Sequence, residues 1–515
     1  MEYTTLALLA VLAYAVYRYL RKRCDYFEDL GLPYVPALPL FGNMANLAFG
    51  RKHIVHVIQD IYNYMPEAKY LGAFDFTRPV IVVRDPELIK NITIKDMNIS
   101  LSLDSVKHFD NFTDHQGFVD VSVDPMFGGN LFSMTGDQWK EARTMLSPAF
   151  TSSKMKAMYG LMVKSVENFV AHVEKLQKED PKRKFATKDL MTKYTNDVIA
   201  TCAFGIEVNS LDDPTNQFYV LGREATNFEG LLSLKFSLNR AFPKLMKFLR
   251  VKIVNDKVAR FFKDVVRRTV EMRDAKNISR PDMIQLMMDA RGKTSENLKL
   301  DITQMTAQAF IFFFGGFDTT STQMCIISHE LIINPDIQSR LQAEIDEVLE
   351  RTKGKPTYDD INSMPYLDAV YNESMRCHPQ ANVIDRVCIK AFELPPALPG
   401  AKPFVIQPGM NIWVPVAGIH YDEQFHRDPL NFDPDRYLNK KVTISEVENV
   451  GFGIGPRSCI GNRFAILETK ILFFHLLAKF SLRPNEKTCK NFEYSKNNIS
   501  IIPKGGYWCS FESRA

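Results

Sequence analysis

The 515-residue chain has few of the features that mark small disulfide-bonded, zinc-binding or nucleic-acid-binding proteins. None of its eight cysteines forms a C-x-x-C pair, so neither a zinc site nor a disulfide framework is indicated, and a reducing compartment is expected. The net charge is only +4, and no long basic run, RNA-binding signature or internal repeat occurs. The sequence also has no G-x-G-x-x-G motif, which argues against direct dinucleotide binding.

Linker-like segments are equally scarce. The length alone would suggest about three domains, but the only proline-dense stretch that resembles a linker, residues 33–39, lies near the start. A hydrophobic content of 45% and a charged content of 24% are typical of a globular protein with an ample core. We therefore predict one large domain.

One long apolar run is present at the N-terminus. Residues 3–20 carry a single charge, and as a helix of about 18 residues they would span roughly 27 Å, nearly a bilayer. The basic residues 21–23 follow this run, an order opposite to that of a cleaved signal peptide, and they place the rest of the chain in the cytosol. We predict an uncleaved transmembrane anchor over residues 1–23, a stiff proline-rich hinge over 24–45, and the main domain over 46–515.

The pattern along the main domain changes from helical to mixed. Residues 130–380 have long amphipathic runs with few prolines, whereas residues 381–437 combine short β-prone pieces such as "FVIQ" and "NIWVPVA" with six prolines between 395 and 415. Further β-like pieces are "RPVIVVRDP", "NNISIIP" and "GYWCSF". The predicted fold class is mainly α with a minor β-sheet portion.

A helix predicted from Asp301 to the Asn334-Pro335 stop contains "FFFGGFDTTST" at its middle. Two adjacent glycines cost about 1 kcal/mol each in a helix interior, so a local function is expected. The Thr319 hydroxyl can bond the Gly315 carbonyl and open a groove, and Asp318 adds an ionisable group in apolar surroundings. The alternative is that the glycine pair ends one helix and Asp318 caps the next.

Two charged motifs stand on other predicted helices. Glu373 and Arg376 are three residues apart and able to pair, although such pairs are common on surfaces. Trp139 and Arg143 are four apart, so an indole N–H and a guanidinium can converge on one anion. An aromatic residue beside a solvated charge is the simpler explanation for the second motif when it is taken alone.

The most informative stretch is "FGIGPRSCIGNRFA", residues 452–465. Cys459 falls at or just before a predicted helix N-terminus, where the dipole and free N–H groups favour a thiolate. Gly455 and Gly461 let the main chain turn and approach a flat, bulky group, and Arg457 offers a charge for a carboxylate. This combination suits thiolate ligation of a haem iron.

These motifs together resemble the cytochrome P450 family of haem-thiolate monooxygenases. The resemblance implies that Cys459 is the iron ligand and that Asp318 and Thr319 are catalytic residues of the oxygen-activating groove. It also implies a structural cluster of Glu373, Arg376 and Arg436. The residues that it implies for haem binding are Trp139, Arg143, Arg386, Phe452, Gly455, Arg457, Cys459 and Gly461.

The same resemblance implies the cofactor, the partners and the location. The cofactor is haem b, and electrons from NADPH arrive through a membrane-bound NADPH-cytochrome reductase, with cytochrome b5 as a second candidate donor. "TNDVIATCAFGIEVNSL" and "LSPAFTSSKMKAMY" resemble the insect microsomal branch, which oxidises foreign compounds at the endoplasmic reticulum. The expected substrates are therefore apolar small molecules, contacted by the aromatic-rich stretches 109–118 and 228–249. The second stretch is also basic and amphipathic, which suits contact with a membrane surface.

The sequence departs from the family pattern at two places. Tyr437 replaces the more usual phenylalanine, and "SEVENVGFG" stands where an aromatic and proline-rich lead-in is usual. Two alternative functions remain open at this point. A haem-thiolate isomerase or dehydratase needs no external electrons, and a haem sensor or carrier needs no oxygen-activating groove.

Overall fold

Helices build most of the described chain, which in this computed structural model comprises residues 2–94, 119–227, 230–280, 282–292, 300–438, 446–496 and 500–514. The predicted 109–118 stretch lies outside the described residues. The helices are α1 Glu2–Cys24, α2 Tyr26–Asp29, α3 Ala45–Ala48, α4 Ile54–Asn63, α5 Pro86–Thr93, α6 Pro125–Gly128, α7 Gly136–Leu146, α8 Ser152–Glu179, α9 Thr187–Ile199, α10 Gln217–Thr226, α11 Leu231–Ala241, α12 Pro243–Phe248, α13 Asp256–Lys276, α14 Met283–Ala290, α15 Ile302–Ile333, α16 Pro335–Thr352, α17 Tyr358–Asn362, α18 Pro365–Cys377, α19 Val416–Ile419 and α20 Asn462–Lys479.

The strands are short and form small sheets. They are β1 Tyr70–Asp75, β2 Arg78–Val83, β3 Phe185–Ala186, β4 Ile384–Val387, β5 Phe392–Leu394, β6 Phe404–Ile406, β7 Asn411–Val414, β8 Phe480–Arg483 and β9 Trp508–Ser513. The order in the largest sheet is β1-β2-β7-β4, in which only β2 and β7 run parallel. β3, β9 and β8 form a second sheet, and β5 pairs with β6. The mainly helical class with a minor sheet portion is confirmed.

Helix α15 runs through the centre of the protein as one continuous helix of 32 residues. The Asp301 side chain caps it by accepting a hydrogen bond from the Gln304 N–H at 2.8 Å. Helices α9, α13, α18 and α20 all contact it. The alternative in which the glycine pair ends one helix and Asp318 caps the next is therefore wrong.

The N-terminal region begins with helix α1, which coincides with the predicted anchor. Among the described residues no helix, α1 included, combines the length and apolar character needed to cross a bilayer. The predicted transmembrane segment is thus not confirmed. The following segment contacts β1, because the Gly72 N–H donates to the Pro33 carbonyl and the Val35 N–H donates to the Gly72 carbonyl.

Candidate active site

The loop before α20 presents Cys459 three residues ahead of the helix. The Cys459 N–H donates to the Phe452 carbonyl at 2.7 Å, and the Ser458 N–H donates to the Gly455 carbonyl at 2.9 Å. The Phe452 ring stacks on Tyr371, with centroids 6.2 Å apart. These bonds close the loop on itself and hold the thiol at the N-terminal end of α20, as the sequence predicted.

The two glycines that flank Cys459 have different functions. Gly455 has φ of +75°, and an added Cβ would lie 1.7 Å from the Thr93 carbonyl oxygen, so only glycine fits there. Gly461 has φ of −91°, and an added Cβ would meet the Phe150 ring at an ordinary 3.7 Å. The expectation that both glycines supply backbone freedom holds only for Gly455. Gly461 contributes its N–H, which donates to the Cys459 sulfur.

The Cys459 side chain is the exposed cysteine among the described residues; Cys489 is half-buried and the others are buried. Although the residue is exposed, protein atoms surround its thiol densely. This enclosure raises the pKa of the Cys459 thiol, while the Gly461 N–H and the charge of Arg143 oppose the rise. The helix terminus thus favours the thiolate, as expected, while the surrounding protein favours the neutral thiol. A metal cation at the sulfur would favour the thiolate instead.

Cationic groups converge on the same region. The Arg457 guanidinium lies 4.1 Å from the centroid of the buried Trp139 ring and donates to the Met134 carbonyl at 3.1 Å. Arg143 follows Trp139 by one turn of α7, and its charge acts on the Cys459 thiol. Arg386 on β4 is 5% exposed and donates to the Ile454 carbonyl, within the cysteine loop, at 3.0 Å. Burial lowers the pKa of Arg143 and of Arg386.

These groups fit haem b. Within the described ranges, neither Arg143 nor Arg386 forms an ion pair with a carboxylate, and a largely buried guanidinium without one is suited to an anionic ligand. An accessible thiol is suited to an iron ligand. Cys459 would hold the iron, and Trp139, Arg143, Arg386 and Arg457 would hold the propionates. A haem bound in this way supplies activation of dioxygen, because thiolate ligation favours cleavage of the O–O bond.

A groove lies at the middle of α15. The Thr319 hydroxyl donates to the Gly315 carbonyl, which is the bond predicted from the sequence. Gly315 and Thr319 are both exposed, although most of this helix is buried. An added Cβ on Gly315 would meet nothing within 4 Å, whereas one on Gly316 would lie 2.9 Å from Ile199 of α9. The glycine pair therefore leaves one face of the helix open and lets α9 approach the other.

Asp318 lies in polar surroundings, which corrects the expectation of an apolar environment. Its carboxylate oxygen Oδ1 is 2.9 Å from the Lys188 ammonium of α9. Lys188 also donates to the Ser321 and Thr322 hydroxyls at 2.9 and 2.6 Å. The sequence analysis missed Lys188, which lies 130 residues from Asp318. The sequence offers one weak indication of Lys188, because Lys188 lies on the same helical face as Thr195, seven residues later.

The predicted structural cluster is present on α18. Both Glu373 oxygens accept from Arg376 at 2.8 Å, and Glu373 Oε1 also accepts from Arg436 at 3.3 Å. Arg376 is 1% exposed and donates further to the carbonyls of His420 and Pro429. The cluster therefore fixes α18 to the segment that leads to the cysteine loop.

The two departures from the family pattern contact each other. The Tyr437 hydroxyl donates to Asn449 Oδ1, within the unusual lead-in, at 2.6 Å. The Asn449 amide donates to Glu446 at 2.9 Å. Tyr437 is buried, so its hydroxyl needs this partner.

The fold and the site together define a haem-thiolate protein, with a central helix that contacts α20, the helix after the cysteine loop. The family model described as Cytochrome P450 matches residues 32–510, and the chain belongs to this family. Its members are haem monooxygenases that use haem b and receive electrons from NADPH through a reductase, so the protein is an enzyme of this class.

Curated relatives support this assignment over nearly the whole chain. Cytochrome P450 9e2 of Blattella germanica is 40% identical over 518 residues, which cover 95% of this chain and 94% of the relative. Probable cytochrome P450 9f2 of Drosophila melanogaster is 37% identical, with 99% of each protein covered. Cytochrome P450 6j1 of Blattella germanica is 34% identical, with 98% and 97% covered. The resemblance to the insect branch is thereby confirmed.

Proposed function

We propose that the protein is a membrane-attached monooxygenase that inserts one oxygen atom from O2 into apolar small molecules, foreign compounds among them. NADPH-cytochrome reductase supplies its electrons, with cytochrome b5 as a second donor, at the cytosolic face of the endoplasmic reticulum. The observation that carries this proposal is the open groove of α15, where the exposed Thr319 stands beside the carboxylate of Asp318.

In this proposal the two groove residues have separate duties. Thr319 holds a proton at Oγ1 on the open face, and Asp318 replenishes that proton from solvent through its carboxylate. Cys459 holds the iron, and the arginines of the site orient the cofactor. An isomerase or a haem carrier would not need this acid and hydroxyl pair.

Aromatic side chains beside the groove support an apolar substrate. Phe314 directly precedes Gly315 and meets Phe127 edge to face, with centroids 5.6 Å apart. Phe236 of α11 meets the same Phe127 ring at 5.4 Å. The partly exposed Phe314 and Phe236 rings, packed on the buried Phe127, offer apolar surface that suits flat or branched hydrocarbon substrates.

The test compares product and hydrogen peroxide formed for each NADPH consumed, with the same reductase. Thr319→Ala should keep its haem content while product per NADPH falls about tenfold or more and peroxide rises, because the relayed proton no longer arrives in order. Thr319→Ser, which keeps the hydroxyl, should stay near wild type. If Thr319→Ala formed as much product per NADPH as the wild type, the function assigned to the groove would be contradicted. Product formation without NADPH or reductase would contradict the proposed monooxygenase activity.

Membrane attachment rests on exposed apolar side chains in two regions. Helix α1 exposes Leu6, Leu8 and Val11. Helices α11 and α12 expose Leu231, Leu234, Leu245, Phe248 and Leu249. Lys244, Lys247 and Arg250 lie beside the second group, and such a mixture suits the surface of an anionic bilayer.

Vesicle sedimentation tests the two contacts. Deleting residues 1–23 should release the protein from anionic vesicles only partly, and adding Leu245→Glu with Phe248→Glu should complete the release. The matched control is Leu430→Glu, since Leu430 is an isolated leucine that is 83% exposed. Complete release by the deletion alone at low salt would refute the second contact.

A further inference from the structure

The groove of α15 is held by hydrogen bonds from neighbouring elements as well as by its own threonine. The Phe317 carbonyl accepts from the Thr195 hydroxyl of α9 at 3.1 Å. The Asp318 carbonyl accepts from Lys188 at 3.0 Å, and the Thr319 carbonyl accepts from Gln380 at 2.8 Å. Side-chain bonds to helix carbonyls weaken the regular ladder and bend the helix. The shape of the groove therefore depends on α9 and on the segment after α18.

Among these side chains, Lys188 makes the largest number of contacts with the groove. Its ammonium lies within 3.0 Å of the Asp318 carboxylate, the Asp318 carbonyl, and the Ser321 and Thr322 hydroxyls. An ammonium has three donors, so these acceptors saturate it. The Lys188 and Asp318 side chains are 27% and 21% exposed, which places the pair between the protein interior and solvent.

The contacts restrict how Asp318 can move. One carboxylate oxygen is held by the ammonium, and the main chain of the same residue is held by the same ammonium. These two contacts therefore restrict the rotation of the Asp318 side chain. The Ser321 and Thr322 hydroxyls, also on Lys188, continue the polar path along α15.

We infer that Lys188 is a positioning residue for oxygen activation, which holds the Asp318 carboxylate between solvent and Thr319 and sets the rate at which it passes protons. The inference rests on the proposed function, in which Asp318 and Thr319 deliver protons. Lys188 itself touches neither substrate nor cofactor in this assignment, and it acts through Asp318.

The experiment uses the full chain with its haem and the reductase, and it compares Lys188→Met, Lys188→Arg, Asp318→Asn and the double variant Lys188→Met with Asp318→Asn. Turnover in H2O and D2O is measured beside haem content. Lys188→Met should keep its haem, lose about tenfold in turnover and show a larger solvent isotope effect, since general acid-base steps contribute 100-fold or more. Lys188→Arg, which keeps the charge, should recover most of the turnover.

The double variant tests whether Lys188 acts through Asp318. If it does, Lys188→Met should change turnover less than about twofold in the Asp318→Asn background, since coupled residues are not additive. The control is Lys193→Met, because Lys193 lies on α9 but pairs with Asp189 of the same helix at 2.7 Å. It should behave as wild type.

The outcomes separate the inference from the proposed function. The inference alone would be overturned if Asp318→Asn lowered turnover while Lys188→Met left it unchanged. It would also be overturned if the loss of turnover in the double variant equalled the product of the two single losses. If Asp318→Asn left turnover unchanged, both the proton-transfer function assigned to Asp318 and the inference would be overturned. If Lys188→Met loses haem, Lys188→Gln replaces it in the experiment, because glutamine keeps a hydrogen-bond donor for the Ser321 and Thr322 hydroxyls. The same criteria then apply to Lys188→Gln.

Discussion

At the scale of single residues, the cysteine loop depends on one main-chain conformation. Gly455→Ala should lose most of the bound haem and lower the free energy of unfolding, because the left-handed conformation costs about 1–2 kcal/mol and the new Cβ would collide with the Thr93 carbonyl. Gly461→Ala is the matched control, since its φ and surroundings accept a methyl group. Haem absorbance and chemical denaturation measure both variants. Equal losses in the two would contradict the assignment of different functions to these glycines.

The iron ligand is tested by a second residue-scale substitution. Cys459→Ser should abolish the long-wavelength band of the reduced carbon monoxide complex, because this band requires a thiolate on the iron. Cys202→Ser and Cys325→Ser should retain the band, because both thiols are buried in helical packing. A Cys459→Ser protein that kept the band would show that another residue is the ligand.

Residues close in sequence were predictable, and residues that meet through the fold were not. The spacing of Glu373 and Arg376, and of Gly315 and Thr319, follows from helix geometry, and both contacts exist. The effect of the helix terminus on Cys459 was predictable from the local sequence, whereas the opposing effect of the dense protein around the thiol was not. The polar surroundings of Asp318 were missed because Lys188 is distant in sequence.

At the scale of elements, the Glu373 cluster joins α18 to the segment before the cysteine loop. Arg376→Met should cost about 3–5 kcal/mol of unfolding free energy, because it leaves the fully buried Glu373 carboxylate without its main partner. Lys156→Met should have little effect on the free energy of unfolding, since both side chains of its ion pair with Asp359 are exposed. Denaturant titration of the two variants measures the contrast, and similar costs would show that the cluster does not stabilise this junction.

The bounds of elements were predicted well where capping or proline signals exist. Helix α15 was expected between Asp301 and Asn334 and covers Ile302–Ile333. The piece "NIWVPVA" contains strand β7, and "GYWCSF" covers the first four residues of β9. The order of strands in the sheets was not predictable. β2 pairs with β7 across more than 300 residues, and the local sequence of either strand does not indicate its partner.

At the scale of the whole molecule, buried imidazoles should make the protein sensitive to acid. Burial lowers the pKa of His53, His329 and His426 to about 4 and that of His420 to about 3. Between pH 6.5 and about 4 these groups take up protons only after unfolding, so the unfolded chain gains up to about 1.4 kcal/mol per pH unit for each of them. Their contribution to stability is therefore lost as the pH falls through this window.

Three buried or partly buried carboxyl groups act in the opposite direction. Burial raises the pKa of Asp197 to about 6, and it also raises the pKa of Glu344 and Glu468, so these groups favour the folded state as the pH falls towards their ordinary values. The imidazoles outnumber them, and urea midpoints should decrease from pH 7 to pH 5. A midpoint that rose or stayed constant over this range would contradict the assignment of neutral buried histidines.

The contact between Tyr437 and Asn449 has a consequence for how this sequence arose. A buried tyrosine hydroxyl without a partner costs about 1–3 kcal/mol, and the asparagine supplies the partner here. An ancestor with the usual phenylalanine could acquire Asn449 first at little cost, whereas gaining Tyr437 first would pass through a weakened protein. The two side chains therefore contribute to stability as a coupled pair. Asn449→Ala alone in this protein should be more harmful than Asn449→Ala combined with Tyr437→Phe.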